Sequence, residues 1–275
     1  MEWIEIFKAI ILGVIEGITE WLPVSSTGHM ILVDEFLQLG MSDAFKEMFF
    51  VVIQLGAIMA VVILYWKKIF PFSFNKKPFI QNDIIIMWTK IVIACVPAAI
   101  VGLIWDDQIN ALFYNFQTVA IMLIVFGILF IIVENNNKGK RAKVTNMNQL
   151  TYKMAIIIGL FQLIAAVFPG TSRSGSTILG ALLIGISREI AAEFTFFLAI
   201  PVMFGASLLK LVKFGFVFTS FELIVLLVGT FVSFVVSVWV IKFLMGYIKK
   251  HDFKVFGWYR IILGVILLIY FFFIR

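Results

Sequence analysis

Six long apolar segments decide what this chain can fold into, because each is long enough, or nearly so, to cross the hydrocarbon core of a membrane. Hydrophobic residues make up 62% of the 275 residues and charged residues only 14%, whereas soluble domains carry about 25% charged residues. In lipid, only helices or closed barrels satisfy the backbone, and these segments are continuous rather than alternating. We therefore predict an all-α integral membrane protein whose six transmembrane helices cover residues 49–66, 84–104, 118–133, 194–212, 221–245 and 258–274.

The loops between these segments alternate in charge. Basic clusters follow the first, third and fifth segments, whereas loop 105–117 contains Asp106 and Asp107 and no basic residue. The positive-inside rule places the basic loops in the cytoplasm and both chain termini outside. Because the net charge of +6 is concentrated in these loops, we predict no nucleic-acid partner. The clustered residues are Lys67, Lys68, Lys76 and Lys77, then Lys138, Lys140, Arg141, Lys143 and Lys153, then Lys249, Lys250 and Lys254.

Two stretches of the sequence look like copies of each other. Residues 9–29 read AIILGVIEGITEWLPVSSTGH and residues 155–175 read AIIIGLFQLIAAVFPGTSRSG, and a shift of 146 positions places Pro23 on Pro169 and Ser26 on Ser172. Repeats in membrane proteins commonly relate two inverted halves with a site between them. We predict a single membrane domain, residues 1–275, with halves of approximately 1–135 and 150–275 that are joined by a basic cytoplasmic loop, 134–153.

Each copy is predicted to be an apolar helix that ends at a proline, followed by small polar residues and a second short helix. The neighbouring spans require each copy to return to the side from which it enters, so we expect two re-entrant helical hairpins from opposite faces of the membrane. Their tips, near residues 23–29 and 169–175, should meet close to the middle of the bilayer, where irregular backbone must be buried in protein or line a wet cavity. The alternative is two kinked hairpins that cross completely.

The first copy contains two carboxylates, Glu16 and Glu20, which lie one helical turn apart and share a face. Ionisable groups within a membrane segment are costly and point to function. Together the two side chains could hold a divalent cation, or one could act as a base. The alternative is that both are merely solvated at an interface. The second copy has Gln162 and Ala166 at the corresponding positions, so the acid pair belongs to one half only.

A cluster of hydroxyl groups and one imidazole follows the first proline. Capping of the next helix would account for the hydroxyls alone. The imidazole favours chemistry, because histidine can act as nucleophile, general base or general acid at a phosphorus centre. The cluster consists of Ser25, Ser26, Thr27 and His29.

The corresponding loop of the second copy, residues 169–175, reads PGTSRSG. Glycines free the backbone to turn, and the exposed N–H groups before a helix can cradle an anion. Arg173 adds a planar, two-pronged donor that suits phosphate. A salt bridge from Arg173 to Glu16 or Glu20 is the alternative use of this guanidinium. The residues predicted to bind phosphate are Ser25, Thr27, Gly170, Thr171, Ser172, Arg173 and Ser174.

The motifs EGITEWLPVSSTGH (residues 16–29) and PGTSRSG (residues 169–175) resemble the two signature motifs of bacterial undecaprenyl-diphosphate phosphatases, also called bacitracin resistance proteins. The likeness covers essentially the whole chain. It implies removal of the terminal phosphate from undecaprenyl diphosphate to give undecaprenyl phosphate, the lipid carrier of cell-wall synthesis. It also implies a divalent cation, Mg²⁺ or Ca²⁺, and a site that faces the outer side of the bacterial cell membrane.

On this resemblance, Glu16 and Glu20 are expected to hold the metal or orient the attacking group, and Arg173 to bind phosphate. Either Ser26 or His29 attacks the outer phosphorus; we favour Ser26, with His29 as a proton shuttle in a triad-like set with Glu20. A polyprenyl-phosphate flippase is the main competing function, since inverted repeats with broken helices also build transporters. Undecaprenyl diphosphate and membrane lipid are the expected partners, and a homodimer is compatible with the sequence.

Small and aromatic residues elsewhere indicate packing. Gly56, Gly205 and Ala206 are predicted to let helices approach closely. Tryptophans near helix ends, Trp21 among them, are predicted to form an aromatic belt at the membrane surface.

Overall fold

In a computed structural model that describes residues 2–72, 78–215 and 217–274, the protein is helical and contains no β-strand beyond two isolated bridges. Lys76 and Lys77 lie outside these described residues, and so does the side chain of Asp106. The α-helices in the described ranges are α1 (Glu2–Thr19), α2 (Ser26–Asp34), α3 (Asp43–Leu64), α4 (Trp66–Ile69), α5 (Asn82–Phe113), α6 (Phe116–Asn137), α7 (Tyr152–Val167), α8 (Arg173–Leu183), α9 (Arg188–Phe214), α10 (Ser220–Ile248) and α11 (Lys254–Ile269).

Six helices of the described chain, α3, α5, α6, α9, α10 and α11, are long and apolar enough to cross a membrane, and each corresponds to a predicted segment. Two of them, α3 and α9, begin six residues earlier than the apolar pattern predicts. The side chains of Ser42 and Ser187 cap α3 and α9, and their polar first turns are therefore helical. Helix α5 bends at Trp105 and continues to Phe113, so most of the predicted loop 105–117 is helical.

The two copies of the repeat form broken helices, as predicted. Helix α1 ends at Thr19 and α2 begins at Ser26, while α7 ends at Val167 and α8 begins at Arg173. The second helix of each pair is short, with nine residues in α2 and 11 in α8. At 1.5 Å per residue both are far too short to cross a hydrocarbon core of about 30 Å.

The first helix of each half packs against a helix of the other half. Helix α1 packs against α10 of the second half, and α7 packs against α5 of the first half. Corresponding glycines occupy these two contacts: a Cβ added at Gly13 would lie 2.6 Å from the carbonyl oxygen of Gly229, and one added at Gly159 would lie 2.5 Å from that of Ala94. Both crossings therefore depend on direct contact between backbones.

Of the three small residues that were predicted to let helices approach closely, one does so in the structure and two do not. Gly56 of α3 lies against α10, where an added Cβ would be 2.0 Å from the carbonyl oxygen of Thr230. The prediction is wrong for Gly205 and Ala206, because Ala206 is exposed and no atom lies within 4 Å of an added Cβ at Gly205. The belt interpretation is also wrong for Trp21, whose fully buried ring meets Phe196 edge to face at 5.2 Å.

We expect Gly56→Ala to destabilise the protein by about 3 kcal/mol, since overpacking against rigid backbone must push α3 away from α10. Gly205→Ala is the matched control: it adds the same methyl group to open space, and its helix propensity should raise stability by up to about 1 kcal/mol. Thermal unfolding midpoints of the two variants in detergent measure the difference. Equal midpoints would show that the α3–α10 contact tolerates a side chain.

Candidate active site

Each short helix of the repeat starts from a serine with an unusual backbone. Ser25 has φ 74° and Ser172 has φ 68°, and they are the non-glycine residues with positive φ in the described chain. Each hydroxyl accepts a hydrogen bond from the backbone N–H three residues later, Gly28 at 3.3 Å and Gly175 at 3.1 Å. The capping interpretation is thus confirmed for Ser25, and Ser172, which was predicted as a phosphate ligand, makes the same capping bond in the second copy.

This geometry corrects the sequence register of the repeat. The shift of 146 pairs Ser26 with Ser172, but the matching caps are Ser25 and Ser172, which lie 147 positions apart. The second loop has one more residue between its proline and its cap than the first loop has. Ser26 therefore corresponds to Arg173, and each is the first residue of its helix.

A single carboxylate joins the two loops. Ser26 Oγ donates a hydrogen bond to Glu20 Oε2 at 3.0 Å, and Arg173 Nη2 donates to Glu20 Oε1 at 2.9 Å. Ser174 Oγ adds a bond to the Glu20 carbonyl at 2.9 Å. The side chain of Glu20 is only 6% exposed and that of Arg173 13%, so this is a largely buried ion pair. The predicted meeting of the two loops and the alternative salt bridge are both confirmed.

The guanidinium of Arg173 is held on a second side as well. Its Nη1 donates to the carbonyl oxygen of Thr195 in α9 at 3.1 Å, while its buried Nε has no hydrogen-bond partner among the described residues. Two of the five N–H donors are thus used in the resting site. Such a planar donor is suited to phosphate oxygens.

Arg260 contacts both loops of the site, and the sequence analysis missed it. It is fully buried in α11 and donates to the carbonyl oxygens of Pro23 at 3.2 Å, Gly170 at 2.9 Å and Thr171 at 2.7 Å. One guanidinium therefore ties both loops to the same helix. The available signal was an arginine within a membrane-spanning apolar segment, where a charged side chain is costly.

Glu16 is buried beside Glu20, close enough for the two carboxyl groups to interact. Its Oε1 has no hydrogen-bond partner among the described residues. Glu16, Ser26 and Thr27 line a cavity of about 500 Å³ that extends to Asp34 and Lys46. We call this the site cavity; its other lining residues are Met30, Ile31, Asp43, Glu47, Phe50, Val51, Gln54 and Tyr114.

The acid pair fits a magnesium or calcium ion that is shared with a substrate. Within the described residues no group of three or more His, Cys, Asp or Glu side chains could hold a metal by itself. Magnesium in phosphate-handling sites is usually bound by one or two carboxylates together with substrate phosphates and water. The unpartnered Oε1 of Glu16 is the kind of buried oxygen that such an ion would satisfy.

His29 does not join the set that was expected for it. Its Nδ1 lies 2.7 Å from the carbonyl oxygen of Ser25, and its Nε2 lies 2.6 Å from the hydroxyl of Tyr259, whose ring stacks on the imidazole. Because a carbonyl can only accept, Nδ1 carries the proton, and in the neutral ring Nε2 accepts from Tyr259. No hydrogen bond joins the imidazole of His29 to Ser26 or Glu20, so the triad-like arrangement is not formed among these described residues.

The remaining predicted phosphate ligands differ in what they can offer. The hydroxyl of Thr171 is buried without a partner, and Ser172 and Ser174 share a hydrogen bond of 3.2 Å. Gly170 has φ 88°, and an added Cβ would lie 2.5 Å from the carbonyl oxygen of Val119, so this turn requires glycine. Thr27 lines the site cavity directly.

Comparisons with known proteins identify the family of the chain. The chain is 69% identical to the undecaprenyl-diphosphatase of Desulfitobacterium hafniense over 98% of both chains. It is 65% identical to undecaprenyl-diphosphatase 1 of Clostridium acetobutylicum, covering 98% of this chain and 99% of that one. An undecaprenyl-diphosphatase of Enterococcus faecalis is 60% identical over 98% of both. Residues 9–266 match the family described as bacitracin resistance protein BacA. With its six apolar spans, the chain therefore belongs, as a multi-pass membrane protein, to the bacitracin resistance protein family.

Proposed function

We propose that this protein hydrolyses the terminal phosphate of undecaprenyl diphosphate and releases undecaprenyl phosphate, the lipid carrier used again in cell-wall synthesis. The observation that carries the proposal is the carboxylate of Glu20, which holds a hydroxyl on one side and a guanidinium on the other. This places an attacking oxygen, a base and a phosphate-binding cation around one point. Removal of the diphosphate lipid also leaves less target for bacitracin.

In this proposal Ser26 is the nucleophile. Its Oγ attacks the outer phosphorus while Glu20, already 3.0 Å away, takes the hydroxyl proton. The bond from that phosphorus to the bridging oxygen breaks, and undecaprenyl phosphate leaves with the bond's electrons. Water then hydrolyses the phosphoserine, which returns Ser26 and gives inorganic phosphate.

Arg173 stabilises the charge that develops on the transferred phosphoryl group. In the resting site it neutralises Glu20, so the arriving phosphate competes with that carboxylate for the guanidinium. The resting ion pair is thus compatible with phosphate binding.

Glu16 and Glu20 would hold the divalent cation, Mg²⁺ or Ca²⁺, together with oxygens of the diphosphate. The bound ion would neutralise phosphate charge that Arg173 alone cannot balance. We place Glu20 as the base for Ser26 instead of His29, because Tyr259 occupies the free nitrogen of the imidazole. His29 can shuttle a proton only after that bond breaks.

We further propose that the halves form an inverted repeat with two re-entrant hairpins whose tips carry the site. The reciprocal packing of α1 on α10 and of α7 on α5 supports this symmetry, and so does the matched pair of serine caps. The charged loops support an orientation with the site cavity toward the outside of the cell membrane and both termini outside.

Release of inorganic phosphate from undecaprenyl diphosphate by the purified protein in detergent tests the proposed function. A flippase without phosphatase activity, the competing function, would release no phosphate.

Arg173→Ala should lower the rate of phosphate release by several orders of magnitude. A variant with near-normal turnover would remove Arg173 from the mechanism.

Metal removal is expected to abolish turnover. Chelation should reduce phosphate release to background, and added Mg²⁺ or Ca²⁺ should restore it. Glu16→Gln keeps the size of the side chain but removes its charge, so we expect the metal concentration for half-maximal activity to rise by about tenfold or more. Gln54→Glu places a carboxylate on the same cavity wall and serves as the control for general electrostatics. Unchanged activity in chelator would contradict the role given to the acid pair.

A further inference from the structure

A second cavity, of about 580 Å³, lies at the far end of α8 from Arg173. We call it the basic cavity. It is lined by Lys140, Arg141, Lys143 and Lys249, and none of these four has an acidic partner among the described residues. The remaining cation on its wall, Arg188, is already bound by Glu134. The cavity therefore presents an uncompensated positive charge.

The basic cavity and the site cavity lie at opposite ends of α6. Tyr114, just before that helix, lines the site cavity, whereas Glu134 and Asn137 in its last turn line the basic cavity. Helix α6 has 22 residues and is therefore about 33 Å long, which is the thickness of a hydrocarbon core. The two cavities thus belong to opposite faces of the membrane and cannot share one ligand.

The wall of the basic cavity is held in place by backbone hydrogen bonds. The N–H of Lys143 donates to the carbonyl of Gly185 at 2.8 Å, and the N–H of Ser187 donates to that of Val144 at 2.9 Å. The loop that carries the cations is thereby fixed to the turn between α8 and α9. A cavity built in advance binds a ligand with a smaller loss of conformational entropy.

The lining is amphipathic. Leu183 and Ile184 form an apolar edge next to the cations, and the side chain of Leu183 is 54% exposed on the outer surface of the helices. Asn137 and Ser187 add neutral hydrogen-bonding groups. Of the lining acids, Glu189 is the one without an ion pair among the described residues, and it leaves a net excess of cations. Basic pockets at the ends of transmembrane helices are suited to anionic lipid headgroups.

We propose that the basic cavity binds a phosphate-bearing anion, with the apolar edge placed to accept the first part of a lipid tail. The site would be independent of the catalytic reaction on the other face. The phosphate could belong to a lipid headgroup or to free phosphate, and the two sources are separated by experiment.

The test compares two triple variants that remove the same charge. The cavity variant removes three cations from the basic cavity and combines Lys140→Gln, Arg141→Gln and Lys143→Gln. The control variant removes three exposed lysines that lie outside the cavity and combines Lys138→Gln, Lys153→Gln and Lys250→Gln. Native mass spectrometry of the purified protein counts bound phosphatidylglycerol, with phosphatidylcholine as the lipid without net charge. A parallel arm follows the thermal unfolding midpoint in sodium phosphate against sodium chloride at equal ionic strength.

We expect the cavity variant to bind phosphatidylglycerol at least about tenfold more weakly than the wild type, and the control variant to bind within about twofold. If the cavity variant binds phosphatidylglycerol normally but is no longer stabilised by sodium phosphate, the site is also supported, with free phosphate as its ligand. Equal losses in the two variants, or no loss in either, would overturn the proposal. If the triple variant does not fold, Lys140→Gln and Arg141→Gln as single variants give the same comparison with smaller losses.

Discussion

Ser26→Ala is expected to lower phosphate release from undecaprenyl diphosphate by about 10³-fold or more, because it removes the attacking oxygen and leaves the rest of the site intact. The fold should be unaffected, since Ser26 makes one side-chain hydrogen bond, to Glu20. Steady-state turnover beside the thermal unfolding midpoint checks both statements. Ser233→Ala is the matched control: it removes a buried hydroxyl that has no hydrogen-bond partner among the described residues.

The identity of the nucleophile can be read directly from the trapped intermediate. Rapid acid or base quench of wild-type enzyme with substrate labelled in the outer phosphate should leave the label on Ser26, where it is stable to acid. A label on His29 would be lost in acid and retained in base, and it would refute the assignment. The structure favours serine because His29 is held between Ser25 and Tyr259 and does not face Glu20.

Arg260→Met should produce the largest loss of stability among single substitutions near the site. The change leaves three buried carbonyl oxygens without their donor, and hydrogen bonds to a charged group contribute about 1.5–3 kcal/mol each. We expect the free energy of unfolding to fall by about 4 kcal/mol or more. Lys153→Met, on an exposed lysine that lines neither cavity, also replaces a cation with methionine and should be near neutral.

The Arg260→Met protein that remains folded should also release phosphate slowly. Arg260 fixes Pro23 of one loop and Gly170 of the other, so its loss lets the attacking hydroxyl and the phosphate cradle drift apart. A displacement of about 1 Å costs roughly 100-fold in rate. Arg260→Lys keeps the charge, but a single ammonium cannot replace the fork, so we expect partial rescue of stability with little rescue of kcat. Full activity in the Met variant at low temperature would show that Arg260 only supports folding.

Much of the architecture follows from the sequence because it rests on strong local signals. The six spans follow from long apolar segments, and the broken helices follow from Pro23 and Pro169. The contact between Glu20 and Arg173 could be anticipated because two opposite charges within a membrane protein need each other.

The features that the sequence analysis did not predict depend on contacts between residues that lie far apart in the sequence. Tyr259 lies 230 positions from His29 and carries no motif that would indicate their pairing. Trp21 was predicted to lie at the membrane surface because it is near a helix end, although it is buried by packing against α9. The register of the repeat was misread because an identical serine, Ser26 against Ser172, hid the extra residue in the second loop.

The exchange of helices between the halves also determines when the site can come into existence during biosynthesis. Helix α1, which carries Glu16 and leads directly to Glu20, meets the helix against which it mainly packs only when α10 emerges about 200 residues later. At roughly 5–20 residues per second, the ribosome needs about 10–40 s to supply it. Throughout that interval an acidic helix must wait at the insertion machinery without its permanent neighbour. A nascent chain released early would expose Glu16 and Glu20 to lipid and become a target for membrane proteases.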